Sequence, residues 1–354
     1  MKKLNTPSFA VFFAGCYLGA GFVSGNELTQ FFGNFGLLGF LGLLIVFLGF
    51  FGVGAAATAF AADSGVIEVD RLTAGDRLRP LRACISGVQV GLMLAILMIV
   101  TAGVGALLNT LFSLPTWLGS LLFSIMIACL VMGGISGIVR FLSFSVPLLL
   151  LTVVVLAVCL TPRWISEGLP TPTSVAANPL LPNFAIAALT YISFNMGGNI
   201  AVVVAAAPNV KRNRVIPGAC LGAFLLCFVA ICILIPLSLF PKAMTTELPM
   251  LTAAVTISPV LGYGYGLLLL LAMTGSGVSK CFGITHHFSC KSKTVKRHPR
   301  LFELLLIAVA YPCSLVGFGD LVGTVYPIFG YLSFFLVIGL CLRAFLFARR
   351  KKAG

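Results

Sequence analysis

Long apolar runs separated by short polar ones dominate this chain, and most are long enough to cross a bilayer as a helix. The hydrocarbon core takes about 20 helical residues. Ten such runs can be marked, at roughly 7–32, 36–62, 84–111, 115–135, 141–160, 183–208, 215–240, 258–283, 301–317 and 321–347. The pattern predicts an all-α membrane protein of ten transmembrane helices.

Two of these runs are interrupted. The first, Pro7 to Phe32, contains Gly19-Ala20-Gly21-Phe22-Val23-Ser24-Gly25 at mid-depth. Glycine loses more entropy in a helix than any other residue, so this segment favours unwinding. In hydrocarbon an unwound turn strands polar backbone groups unless it lines a cavity or holds a ligand. A similar segment, Ser193-Phe194-Asn195-Met196-Gly197-Gly198-Asn199, interrupts the sixth run. Discontinuous spans in matching positions of two halves mark the binding site of a secondary transporter. The competing reading is a glycine-rich helix packed closely on a neighbour.

A proline-rich connection, 161–182, divides the spans five and five. Five is odd, so the second set enters the membrane with the opposite orientation, the layout of an inverted repeat. The expected organisation is a first repeat over 1–160, an extracellular connection over 161–182, a second repeat over 183–347 and a basic tail over 348–354.

Charge fixes the orientation. The chain is 59% hydrophobic and 9% charged, with a net charge of +14. With both termini cytoplasmic, all 23 lysines and arginines except Arg163 and Lys242 fall on or near the cytoplasmic side. The opposite topology breaks the positive-inside bias. The basic excess is therefore topology, not a nucleic-acid footprint, and the expected partners are the lipid bilayer and a small solute.

Several residues in the spans carry chemistry. A half-helix starting near Ser24 points its N-terminus at the bilayer middle, which suits a carboxylate. The half-helix ending near Gly19 offers free carbonyls to a cation. Glu27 is the one carboxylate clearly inside a span, about 9 Å below its outer end at the helical rise. Its expected role is proton carrier or outer gate, against a carboxylate simply solvated from outside. Lys280 lies one turn after Ser276, where its ammonium either stands in for a cation or snorkels to the interface. Asn195 and Asn199 share a helix face and either bind solute or satisfy backbone groups freed by unwinding.

The string Gly19-Ala20-Gly21-Phe22-Val23-Ser24-Gly25-Asn26-Glu27, with Gly15-Cys16-Tyr17-Leu18 before it, resembles the unwound first helix of LeuT-fold transporters, the amino acid–polyamine–organocation superfamily. It looks most like the YkvI family of bacterial membrane proteins, which shares the GAGF-x-(S/T)-G-x-E string and the ten-span length. The resemblance implies a solute held by the backbone of Ala20 and Gly21, with Phe194 closing over it. It also implies a sodium ion held by the Gly15 and Leu18 carbonyls and by two adjacent hydroxyl residues of the eighth span. Here Thr274-Gly275-Ser276 supplies Thr274 but interrupts the pair, leaving Ser276 or Ser279 to compensate. Phe22 replaces the asparagine that serves a second sodium in some relatives. No other cofactor or metal is expected.

Other classes fit less well. Cys281, His286, His287, Cys290 and His298 cluster near one span end, but their spacing matches no usual zinc pattern. Gly134-Ile135-Ser136-Gly137 spells the G-x-S-G of an intramembrane serine protease, yet no histidine lies at membrane depth to serve as base. A channel wants a ring of carbonyls or charges, and no filter-like segment is present. The reading that remains is an alternating-access transporter of the bacterial cytoplasmic membrane. Its expected solute is an amino acid or similar zwitterion, coupled to sodium or protons.

Overall fold

The structure, a computed structural model, describes residues 4–75, 78–133, 148, 151–162, 165–166, 178–289 and 291–353. The first apolar run forms three pieces: α1 (Thr6–Tyr17), α2 (Ala20–Val23) and α3 (Asn26–Phe32). It is followed by α4 (Leu37–Ser64), a short α5 (Val69–Ala74), α6 (Arg79–Phe112) and α7 (Thr116–Gly133). The described part of the fifth run is α8 (Leu151–Pro162). Next come α9 (Phe184–Ala205), α10 (Arg212–Leu239) and the short α11 (Pro241–Met244) and α12 (Pro249–Ile257). The chain ends with α13 (Pro259–Ser289), a short α14 (Lys293–Arg297), α15 (Pro299–Ser314) and α16 (Phe318–Ala353). Among the described residues, α4, α6, α9, α10, α13 and α16 are long and apolar enough to cross a membrane. The Gly134–Gly137 string, Arg140, Arg163 and Cys290 lie outside the described residues.

Two departures from the sequence reading concern the spans themselves. The sixth is not broken: α9 runs unbroken through Ser193–Asn199. Its glycines serve close approach, because a Cβ on Gly197 would collide with Ser333 of α16, and one on Gly198 would stand 3.1 Å from Leu92 of α6. Close packing on neighbours offsets the intrinsic helix cost of the two glycines, about 1 kcal/mol each. The basic tail, in turn, is not a separate segment. It continues α16 to Ala353, with Arg349 stacked over the Phe345 ring at 4.7 Å.

The core forms where aromatic side chains of α1 enter notches on its neighbours. Phe9 and Phe13 are fully buried. They face Gly218 and Gly222 of α10 and Gly54 of α4, and a methyl group on Gly222 would stand 2.9 Å from the Ala10 carbonyl. Thus α1 packs on α10, and α9 packs in the same way on α4. The outer faces are apolar as well: Leu37, Leu41, Leu44 and Leu48 form an exposed stripe at helical spacing along α4. Such a stripe has lipid as its natural partner. At one end of the bundle Arg212 pairs with Asp63 (3.1 Å) and Arg82 with Asp70 (2.8 Å), while Arg343 donates to the Arg71 carbonyl at 2.8 Å. This is the end the sequence marks as cytoplasmic.

Candidate functional site

The site is built on the interruption of the first span. After Tyr17 the helical ladder lapses, and the Gly19 N–H donates to the Tyr17 carbonyl at 2.9 Å, not to Gly15. The Gly15 carbonyl so loses its helical donor. Leu18 and Gly19 take non-helical ψ values of 84° and 170°. A second kink follows at Gly25, whose φ of +84° is the left-handed region that favours glycine. The sequence places one break over 19–25; the structure divides it into two kinks separated by a single helical turn.

Glu27 does not face outside water. It is buried and folds back over the break, where its Oε2 accepts a hydrogen bond from the Tyr191 hydroxyl at 3.2 Å. Its carboxylate fills the space that a Cβ on Gly21 would need, and it lies 3.9 Å from a Cβ placed on Gly19. The glycine at 21 is therefore required by the carboxylate six residues on.

Beside this lies a cavity of about 500 Å³ between the first span and α6, α9, α13 and α16. Gly15, Leu18, Gly19, Ala20, Glu27, Phe194, Asn195, Asn199, Ser276 and Lys280 all line it. Gly21, Ser24 and Thr274 do not. The Ser24 hydroxyl donates back to the Gly21 carbonyl (2.9 Å), and that of Thr274 donates to Leu270 (2.7 Å) within its own helix. Asn195 donates to the Tyr191 carbonyl at 3.1 Å, while the Lys280 ammonium donates to Asn199 at 3.4 Å. Lys280 thus reaches the cavity wall.

The wall also holds Tyr326, which the sequence reading passed over. Tyr326 of α16 stacks on Phe194 with ring centroids 4.1 Å apart, and Tyr191 meets Phe194 edge-on at 6.0 Å. A signal for them existed. Of the chain's 7 tyrosines, Tyr17, Tyr191, Tyr265 and Tyr326 are buried. A hydroxyl inside an apolar span needs a partner, so mid-span tyrosines point to polar sites.

Beyond the cavity the structure is closed. Met250 at the start of α12 donates to the Ser24 carbonyl at 3.0 Å, and the Tyr265 hydroxyl donates to that of Val23. Asn26 donates to the Glu247 carbonyl (2.8 Å), whose side chain accepts from the Phe318 N–H at 3.1 Å. In the other direction the lining reaches Val11 and Val202, which are 56% and 50% exposed. Glu247→Ala should loosen the closed end. Losing one charged hydrogen bond, about 1.5–3 kcal/mol, should raise the open population roughly tenfold or more. Faster amide exchange across α12 would register it; unchanged exchange would show that Glu247 is no latch.

No family model matches the chain. It is 24% identical over 350 residues to the YkvI membrane protein of Bacillus subtilis (strain 168), covering 97% of each chain. The structure of MhsT in complex with L-phenylalanine superposes with a TM-score of 0.58 at 19% identity, over 95% of this chain and 89% of that one. The inward-facing conformation of Mhp1 superposes with a TM-score of 0.60 at 16% identity, over 99% and 78%. This chain has the LeuT fold. It is a homologue of the YkvI protein. The interruption of the first span and the cavity beside it lie in a multi-pass membrane protein of that fold.

Proposed function

We propose that this chain is a secondary active transporter that moves an amino acid or similar small zwitterion by alternating access. The observation that carries this reading is the cavity at the broken first span, closed at one end and extending toward the other. Alternating access requires such a one-sided cavity, whereas a channel needs a continuous path.

Ten spans in a five-plus-five inverted repeat underlie it. Two symmetries support that layout. The pairing of α1 with α10 mirrors that of α9 with α4. The short α5 lies between the second and third spans, as α11 and α12 lie between the seventh and eighth. Both termini are cytoplasmic, in the inner membrane of a bacterium, and the cavity then reaches toward the cytoplasm. A LeuT-fold neighbour in complex with L-phenylalanine favours an amino-acid-like solute.

Coupling runs through protons and Glu27, not through sodium. Thr274 does not line the cavity, and the Lys280 side chain enters it one turn beyond Ser276. A buried carboxylate without a cationic partner is costly. Glu27 so alternates between a proton and the cationic end of the solute. The test is counterflow in proteoliposomes: trapped unlabelled amino acids should drive transient, saturable accumulation of labelled ones. Non-saturable flux that ignores the trapped solute would replace the carrier with a pore.

A further inference from the structure

The cavity carries an acidic and a basic side chain that do not meet. Glu27 and Lys280 both line it, yet they form no ion pair with each other. Each is held instead by a neutral residue of the same helix: Glu27 by the Tyr191 hydroxyl, Lys280 by the Asn199 side-chain carbonyl. Those two residues of α9 are eight positions, or about 12 Å of helix axis, apart. A buried acid and a buried base ionise at least cost when the molecule that fills the cavity brings the opposite charge to each.

The two ends also differ in their surroundings. Around Glu27 are aromatic faces, with Phe194 stacked on Tyr326 at 4.1 Å and Tyr191 edge-on to Phe194. Aromatic faces and a carboxylate favour an ammonium. Around Lys280 are Asn199 and Ser276, donors suited to a carboxylate or another oxyanion. The supports of the two groups stand two turns apart on α9, whereas an α-amino acid carries its charges only about 3 Å apart by standard bond lengths.

We infer that the cavity takes a zwitterion whose amine and acid are separated by a chain, an ω-amino acid, with the amine at Glu27 and the acid at Lys280 and Asn199. This rests on the transporter reading and specifies its solute. The ammonium lies deep, under the aromatic pair, and the acid lies toward the end to which the cavity reaches.

The test uses the full chain in lipid nanodiscs, titrated with glycine, β-alanine, 4-aminobutyrate and 6-aminohexanoate, and with butylamine and butyrate as one-ended controls. Thermal stabilisation reports binding. Affinity should rise with chain length, so that 4-aminobutyrate or 6-aminohexanoate binds at least about tenfold more tightly than glycine and than either control. Lys280→Met should reduce the long zwitterions to the level of butylamine and leave butylamine binding unchanged. Asn199→Ala should act in the same direction if that variant does not fold. A flat response across chain lengths, preference for glycine, or no stabilisation by any of these compounds would overturn the inference. If counterflow with α-amino acids still operates, the transporter reading stands and only the polarity is wrong. Absence of counterflow for every solute would strike that reading itself.

Discussion

Gly21→Val should abolish binding and uptake while leaving membrane insertion intact. The Glu27 carboxylate occupies the position of the missing side chain, and Glu27 itself is buried with its Oε2 held by Tyr191. The chain would have to move the carboxylate or the break. Overpacking of this kind costs about 1–3 kcal/mol, which at its upper end is about a 100-fold loss of affinity. Gly21→Ala should already be severe. Gly19→Ala should be mild, because Gly19 has an ordinary extended conformation and its Cβ would make a normal 3.9 Å contact. Gly52→Ala supplies the control, since nothing lies within 4 Å of that site on α4. Thermal-shift titrations and uptake on the four variants separate these outcomes. Normal transport by Gly21→Val would move the binding site away from the break.

Glu27→Gln should lower uptake by about tenfold or more, as loss of a charged hydrogen bond implies, and remove its response to a pH gradient. The sign follows from two cations alternating on one carboxylate. Protons taken up inside return the carrier without solute, so an acidic interior should speed uptake in the wild-type protein and an alkaline interior should slow it. A sodium gradient should have no effect. Thr274→Val should change uptake by less than about twofold, because the lost hydroxyl bonds only its own helix backbone. Uptake that follows sodium and collapses in Thr274→Val would restore the cation site that the family resemblance implies. A pH response that survives Glu27→Gln would place the proton on another group.

The six long apolar spans, the end that collects basic residues and the interruption of the first run were legible in the sequence, because each depends on local chemistry. A bilayer demands an apolar segment of fixed length wherever it is crossed. Gly19, Gly21 and Gly25 weaken a helix whatever surrounds them. Asn199 and Lys280 came from local signals and Ala20 and Phe194 from the family resemblance; all four line the cavity.

Only tertiary structure decided what each glycine and each charge is for. Gly197 and Gly198 have the same local propensity as the glycines of the first span. They keep a continuous helix because Ser333, Leu92 and Ile96, from two other helices, pack into the space they leave. Glu27 reads in sequence as a carboxylate near the outer surface, yet the kink at Gly25 turns it inward to Tyr191, a partner from the other half of the chain. Thr274 and Ser276 are two residues apart, about 200° around the helix, and packing of α13 places only Ser276 on the cavity. Local propensity sets where a helix is weak, but whether it breaks there, and which side chain fills the gap, depends on contacts between residues far apart in the chain.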